Sequence, residues 1–95
     1  MPLHVTNATY LGNFRVQVSF NDGRKGIANL QEALRGPIFE PLKSESYFAQ
    51  FTVDAELETI AWPNGADLAP EYIYFQAFKS EPDLQAKFKA WGYIP

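Results

Sequence analysis

A chain of 95 residues that is 46% hydrophobic, 16% aromatic and 20% charged has the make-up of one folded domain, which excludes intrinsic disorder and leaves no length for a second domain. With no cysteine there is neither a disulfide framework nor a thiolate metal site, and no apolar run approaches the ~20 residues of a membrane helix. Eight Lys and Arg against eleven Asp and Glu give a formal charge of −3, with the basic residues scattered in ones and twos. That pattern argues against direct nucleic-acid binding. The N-terminus has no signal-peptide pattern, so a cytoplasmic protein off the membrane is expected.

The first forty residues read as strands. Leu3 and Val5 alternate with His4 and Thr6, and the phase then shifts so that Ala8 and Tyr10 form the inward pair. After a turn at Gly12-Asn13, Phe14, Val16, Val18 and Phe20 alternate with polar residues, the period-two pattern of a half-buried strand. Asn21-Asp22-Gly23 is a tight-hairpin signal, which returns Arg24 to Ala28 beside that strand. Asn29 and Glu32 have the spacing of a capping box for a short helix that Gly36-Pro37 ends. Ile38 to Leu42, between prolines, reads as extended, and Ser44 as the cap of a brief helix through Tyr47, Phe48 and Ala49. Phe51 to Val53 and Thr59 to Trp62 form a second strand pair around an acidic turn.

Pro63 to Asp67 is a loop, and Pro70 suits the first turn of a helix over Glu71 to Phe78 that is apolar nearly all round; a strand over Tyr72 to Phe75 is the alternative. In a last helix Ser80 is the cap, Asp83 completes a capping box, and Leu84, Phe88 and Trp91 share one face before Gly92. The expectation is one α+β domain over residues 1–95: antiparallel strand pairs joined by short helices, a core within 3–78 and a C-terminal helix over 80–92.

The chemistry in the sequence is sparse. The single histidine, His4, sits near the chain start, and Ser19, Ser44, Ser46 and Ser80 lack any nucleophile motif, so no catalytic residue is assigned and no enzyme is expected. Asp67 and Glu71 lack a third ligand, so neither a metal nor a cofactor is expected. Asp54, Glu56 and Glu58 read as a solvated turn, and Arg24-Lys25 as a solvated hairpin tip. Eight Phe, five Tyr and two Trp are many for a core this small. Such residues favour interfaces, so Tyr72, Tyr74, Phe75 and Phe78 are candidates for a homodimer or partner contact.

The segment from Trp62 to Tyr74, WPNGADLAPEYIY, resembles the signature of the domain-of-unknown-function family 2442. Phe20 to Gly23 and Gly36 to Leu42 also fit that pattern, so the resemblance runs over residues 3 to 75. It implies a small, mostly bacterial α+β protein. Some members carry a helix-turn-helix domain after this module, and others look like one half of a toxin–antitoxin-like pair. Here one helix follows the module, so no recognition helix is present and direct operator binding is not expected.

The signature also has a physical reading as a strand–turn–helix device. Asn64-Gly65 allows the reversal, Asp67 caps the helix begun by Pro70, and Trp62 and Tyr74 brace the turn. A binding pocket at Asn64, Asp67 and Glu71 is the functional alternative. The expected function is a non-enzymatic interaction module: a homodimer that binds a small basic partner protein, steered by its acidic surface. The alternatives are a DNA-associated regulator component acting through a partner, and a small-ligand binder at the 62–74 turn.

Overall fold

The computed structural model describes residues 2–95. Strands β1 (Val5–Gly12), β2 (Arg15–Phe20) and β3 (Lys25–Asn29) form an antiparallel sheet in that order, and β4 (Thr52–Asp54) pairs with β5 (Thr59–Ala61) in a second sheet. The helices are α1 (Glu45–Phe48), α2 (Pro70–Phe78) and α3 (Gln85–Ala90), with short 3-10 turns at Gln31–Ala33, Glu40–Lys43 and Pro82–Leu84. This is the expected α+β class, C-terminal helix included.

The period-two pattern of β2 does what it dictates: Val16, Val18 and Phe20 are buried, while Arg15 is exposed. In β1 the register slips between Val5 and Asn7, a bulge that changes the inward side from Val5 to Ala8 and Tyr10. The two-residue turn to β2 is Asn13-Phe14, both at positive φ (53° and 61°), as a type I′ hairpin requires. Phenylalanine there is unusual, because its Cβ crowds the backbone. The position is held from outside: Glu45 of α1 accepts the Asn13 N–H at 2.9 Å and the Tyr10 hydroxyl, and the Phe14 ring packs edge-on to Phe48. These two donors, the Tyr10 hydroxyl foremost, hold the Glu45 carboxyl below its ordinary range.

Helix α2 is apolar all round because it is covered on two sides. Tyr74 and Phe78 face the first sheet, with ring centroids 5.0 and 5.9 Å from Phe20. Gly26 of β3 makes that approach possible, since a Cβ there would stand 2.6 Å from Phe78 Cε1. On the other side Phe75 meets Phe88 of α3 at 5.1 Å, and Tyr93 stacks on Phe75 at 5.0 Å. Helix α3 therefore packs on its own domain, and Phe88 is fully buried.

Several local expectations are corrected. The capping box at Asn29 and Glu32 yields only a 3-10 turn: Asn29 Oδ1 accepts the Gln31 N–H at 3.0 Å, and Glu32 stays exposed. The segment 38–42 is not extended but winds into the turn Glu40–Lys43, since the fixed φ of Pro41 suits a helical turn as well as a strand. Ser44 precedes α1 as expected, yet its hydroxyl meets Ser46 Oγ and caps nothing. The last helix is capped at Glu81, not Ser80, and its α-helical part spans only Gln85–Ala90. Asp83 is drawn away from any capping box by an ion pair with Arg24 of the β2–β3 hairpin.

Candidate functional site

The segment Trp62 to Tyr74 is tied into the fold at several residues. Trp62 is buried and its Nε1–H donates to the carbonyl of Phe48 at 2.8 Å, fastening β5 to α1. The reversal closes with the Gly65 N–H on the Trp62 carbonyl (3.0 Å) and the Trp62 N–H on the Ala66 carbonyl (2.9 Å), Gly65 at φ +91°. Asn64 Oδ1 accepts the Ala66 N–H, and its Nδ2 donates to the Ile38 carbonyl at 2.8 Å. Asn64 thus fixes the turn to the loop before Pro41. The buried Thr59 hydroxyl donates to the Leu68 carbonyl at 2.6 Å.

Two expected roles are not found. Asp67 does not cap α2: the helix is capped at Ala69 with no side-chain bond, and exposed Asp67 pairs only its backbone with Ala61. Tyr74 does not brace the turn beside Trp62. It faces the β2–β3 hairpin, where its ring packs on Phe20 and its hydroxyl donates to Asp22 Oδ2 at 2.7 Å. Burial first, and then that bond to a carboxylate, pushes the Tyr74 hydroxyl up to about 12. Lys87 of α3 lies 5.6 Å from the Tyr74 ring centre, over its face.

The proposed aromatic contact surface is largely interior. Tyr74 is 1% and Phe78 7% exposed, and Tyr72 and Phe75 are part-covered by Tyr93. Asn64, Asp67 and Glu71 are not among the residues that line a cleft at the β1–β2 turn.

This cleft lies elsewhere in the fold. It encloses about 560 Å³ between the β1–β2 turn, the end of β3, the two 3-10 turns before α1 and the end of α2. Phe14 and Leu34 line it with apolar surface. Arg35, Lys43 and Lys79 line it with positive charge, against the single carboxylate of Glu32. Among the described residues Arg35 and Lys79 enter no ion pair, while Lys43 is matched by Glu40 at 3.1 Å. Gln76, 8% exposed, accepts from Lys79 Nζ at 3.2 Å and donates to the Tyr72 hydroxyl at 3.1 Å. Sequence reasoning missed this group because its three cations stand at positions 35, 43 and 79 with no common motif; only the chain's path gathers them.

A second exposed feature is the outer face of the three-stranded sheet. Across it Thr9 opposes Gln17, which opposes Ile27, with Arg15 and Lys25 at either end. Leu11 and Ile27 are 40% and 49% exposed there. Among the described residues no strand position on this face is Asp or Glu. No metal-holding group of His, Asp and Glu occurs among the described residues, and no helix there is long and apolar enough to cross a membrane.

The family model described as "Protein of unknown function (DUF2442)" matches residues 5–79, from the start of β1 to the end of α2. The chain belongs to that family. No curated protein matches the DUF2442 chain. Its fold is similar to the crystal structure of a candidate DNA-binding protein from Nitrosomonas europaea ATCC 19718, with a TM-score of 0.73 and 13% identity. That likeness covers 98% of this chain and 63% of the Nitrosomonas protein, so the chain spans under two thirds of its length. At this identity the likeness speaks to the fold.

Proposed function

We propose that the chain is a non-enzymatic interaction module whose contact surface is the outer face of the three-stranded sheet. The observation that carries this is the uncovered pair Leu11 and Ile27, 40% and 49% exposed, on a face whose charges, Arg15 and Lys25, are all positive. The inner face is closed by α2 and the second sheet, so the outer one is the sheet surface left to a partner. The charge of the face fits a partner with an acidic rim around an apolar centre. This revises the expectation of a basic partner, which rested on the net charge of −3 alone. Two copies of this face would oppose like charges, which favours a different protein over a homodimer here; the other half of a toxin–antitoxin-like pair is one such protein.

The test is affinity capture of wild type and of a Leu11→Ser, Ile27→Ser double variant, both first shown to be folded by circular dichroism. A partner bound stoichiometrically by wild type and lost by the folded variant is the expected result. Equal capture by both sinks the assignment of this face.

A second reading is a component of a DNA-associated regulator that reaches DNA through a partner. What supports it is the fold likeness to the longer Nitrosomonas protein. It predicts a gel shift of DNA only when the captured partner is present, and no shift under either condition rejects it.

A further inference from the structure

We infer that the cleft between the β1–β2 turn and the end of α2 is a binding site for a small phosphate ester carrying a flat ring, of mononucleotide size. The volume of about 560 Å³ lies within the range of small-ligand sites, roughly 300–1,000 Å³. Its charge is concentrated: three of the chain's eight basic residues converge here against one carboxylate, although the chain as a whole is acidic. Arg35 offers a planar fork of donors suited to two phosphate oxygens, and the Lys79 ammonium has donors to spare beyond its bond to Gln76. With Lys43 matched by Glu40, Arg35 and Lys79 against Glu32 still leave the lining positive, which favours a phosphate anion.

The ring half of the ligand is argued from Phe14. Its backbone is held in the left-handed region by Glu45 and Phe48, and the half-buried ring lines the cleft as an apolar surface. A flat heterocycle stacks well on such a face. Gln31 and the second Nε2 hydrogen of Gln76 supply amide groups of the kind that pair with the edge of a base. A polynucleotide shares this chemistry. The cation cluster is confined to one cleft with Glu40 and Glu32 beside it, however, which fits a single nucleotide better than a continuous backbone.

The experiment is a 15N-HSQC titration of the folded chain with AMP and with UMP, run beside adenosine, inorganic phosphate and a short DNA duplex. Saturable shifts at the Asn29, Gln31 and Gln76 signals are expected from at least one mononucleotide. Phosphate or nucleoside alone should bind roughly tenfold or more weakly. Arg35→Ala with Lys79→Ala changes two exposed cations, so the fold should persist; the Kd should rise about tenfold or more, while Lys89→Ala on α3 leaves it unchanged. Wild-type affinity should also fall as salt is raised, a readout independent of any variant.

The proposal is overturned if neither mononucleotide shifts a cleft signal at concentrations saturating a millimolar site. It is equally overturned if the double variant binds like wild type, or if the duplex outcompetes the nucleotide. None of these results bears on the sheet face, whose test is partner capture.

Discussion

Replacing Tyr74 by Phe isolates one hydroxyl in a position where the rest of the side chain stays fixed. The ring keeps its neighbours Phe20, Phe78 and Trp91 at 5.0, 4.8 and 5.9 Å, so the loss is confined to the 2.7 Å bond to Asp22. A hydrogen bond to a charged acceptor contributes about 1.5–3 kcal/mol. Asp22 is exposed and keeps the Arg24 N–H at 2.9 Å, so water replaces the lost donor and the low end, about 1.5 kcal/mol, applies. In a domain of this length that is a fall in Tm of roughly 6–12 °C.

The loss has a pH signature. Burial first and the Asp22 bond second raise the Tyr74 hydroxyl from 10.0 to about 12 in the folded chain. Below pH 10 it is protonated in both states and its contribution is complete. Between pH 10 and about 12 the unfolded chain releases the proton while the folded one holds it, so wild-type stability falls. The phenylalanine variant has no such group, and the other tyrosines titrate alike in both proteins. Urea unfolding of the pair should therefore show a stability gap of about 1.5 kcal/mol at pH 8 that narrows above pH 10. A gap near zero at pH 8, or one that is constant or wider above pH 10, refutes the reasoning.

Four further outcomes are expected. Gly26→Ala drives a methyl to 2.6 Å from the Phe78 ring, and overpacking of this kind should cost about 1–3 kcal/mol in urea unfolding. Trp62→Phe leaves the Phe48 carbonyl with only the long bond from the Phe51 N–H (3.4 Å) and empties part of the indole's place; a loss of about 2–4 kcal/mol is expected by the same measurement, with hydrogen exchange rising first in α1. Asn64→Ala removes one bond that closes the turn on Ala66 and one that ties it to Ile38, for about 1–2 kcal/mol, and should raise exchange around residues 36–43 before the sheet is affected. Because the Tyr10 hydroxyl and then the Asn13 N–H lower the Glu45 carboxyl below 4.5, its hold on the turn is complete above that pH and fades as the pH falls through the lowered value. The Asn13 amide shift should follow that titration, and a Glu45→Gln variant should abolish it.

Most of the strands and the start of α2 follow from local sequence alone. Strict alternation over residues 15–20, the Asp-Gly turn, the bulge-like phase change before Ala8 and the Pro70 helix start are all encoded within a few residues, whereas Phe14, read as the first strand residue, belongs to the turn. The turn after β5 was legible for the same reason: Trp62, Asn64 and Gly65 shape one reversal. Caps were read less well: Asp67 stays exposed, and the Asp83 carboxylate can satisfy several partners, of which the winner depends on residues far along the chain. Asp83 lies 59 positions from Arg24, yet they pair.

The aromatic excess marked large contacts but not their location. An α2 apolar on every side fits an interface or a sandwich equally, and only the packing of α3 and Tyr93 against Phe75 made it a sandwich. The cleft was beyond the sequence altogether. Arg35, Lys43 and Lys79 share no spacing and come together because the β1–β2 turn, two 3-10 turns and the end of α2 meet at one corner of the fold. Local period fixes which face of an element is apolar, whereas long-range packing decides what covers that face and which charges are left as neighbours.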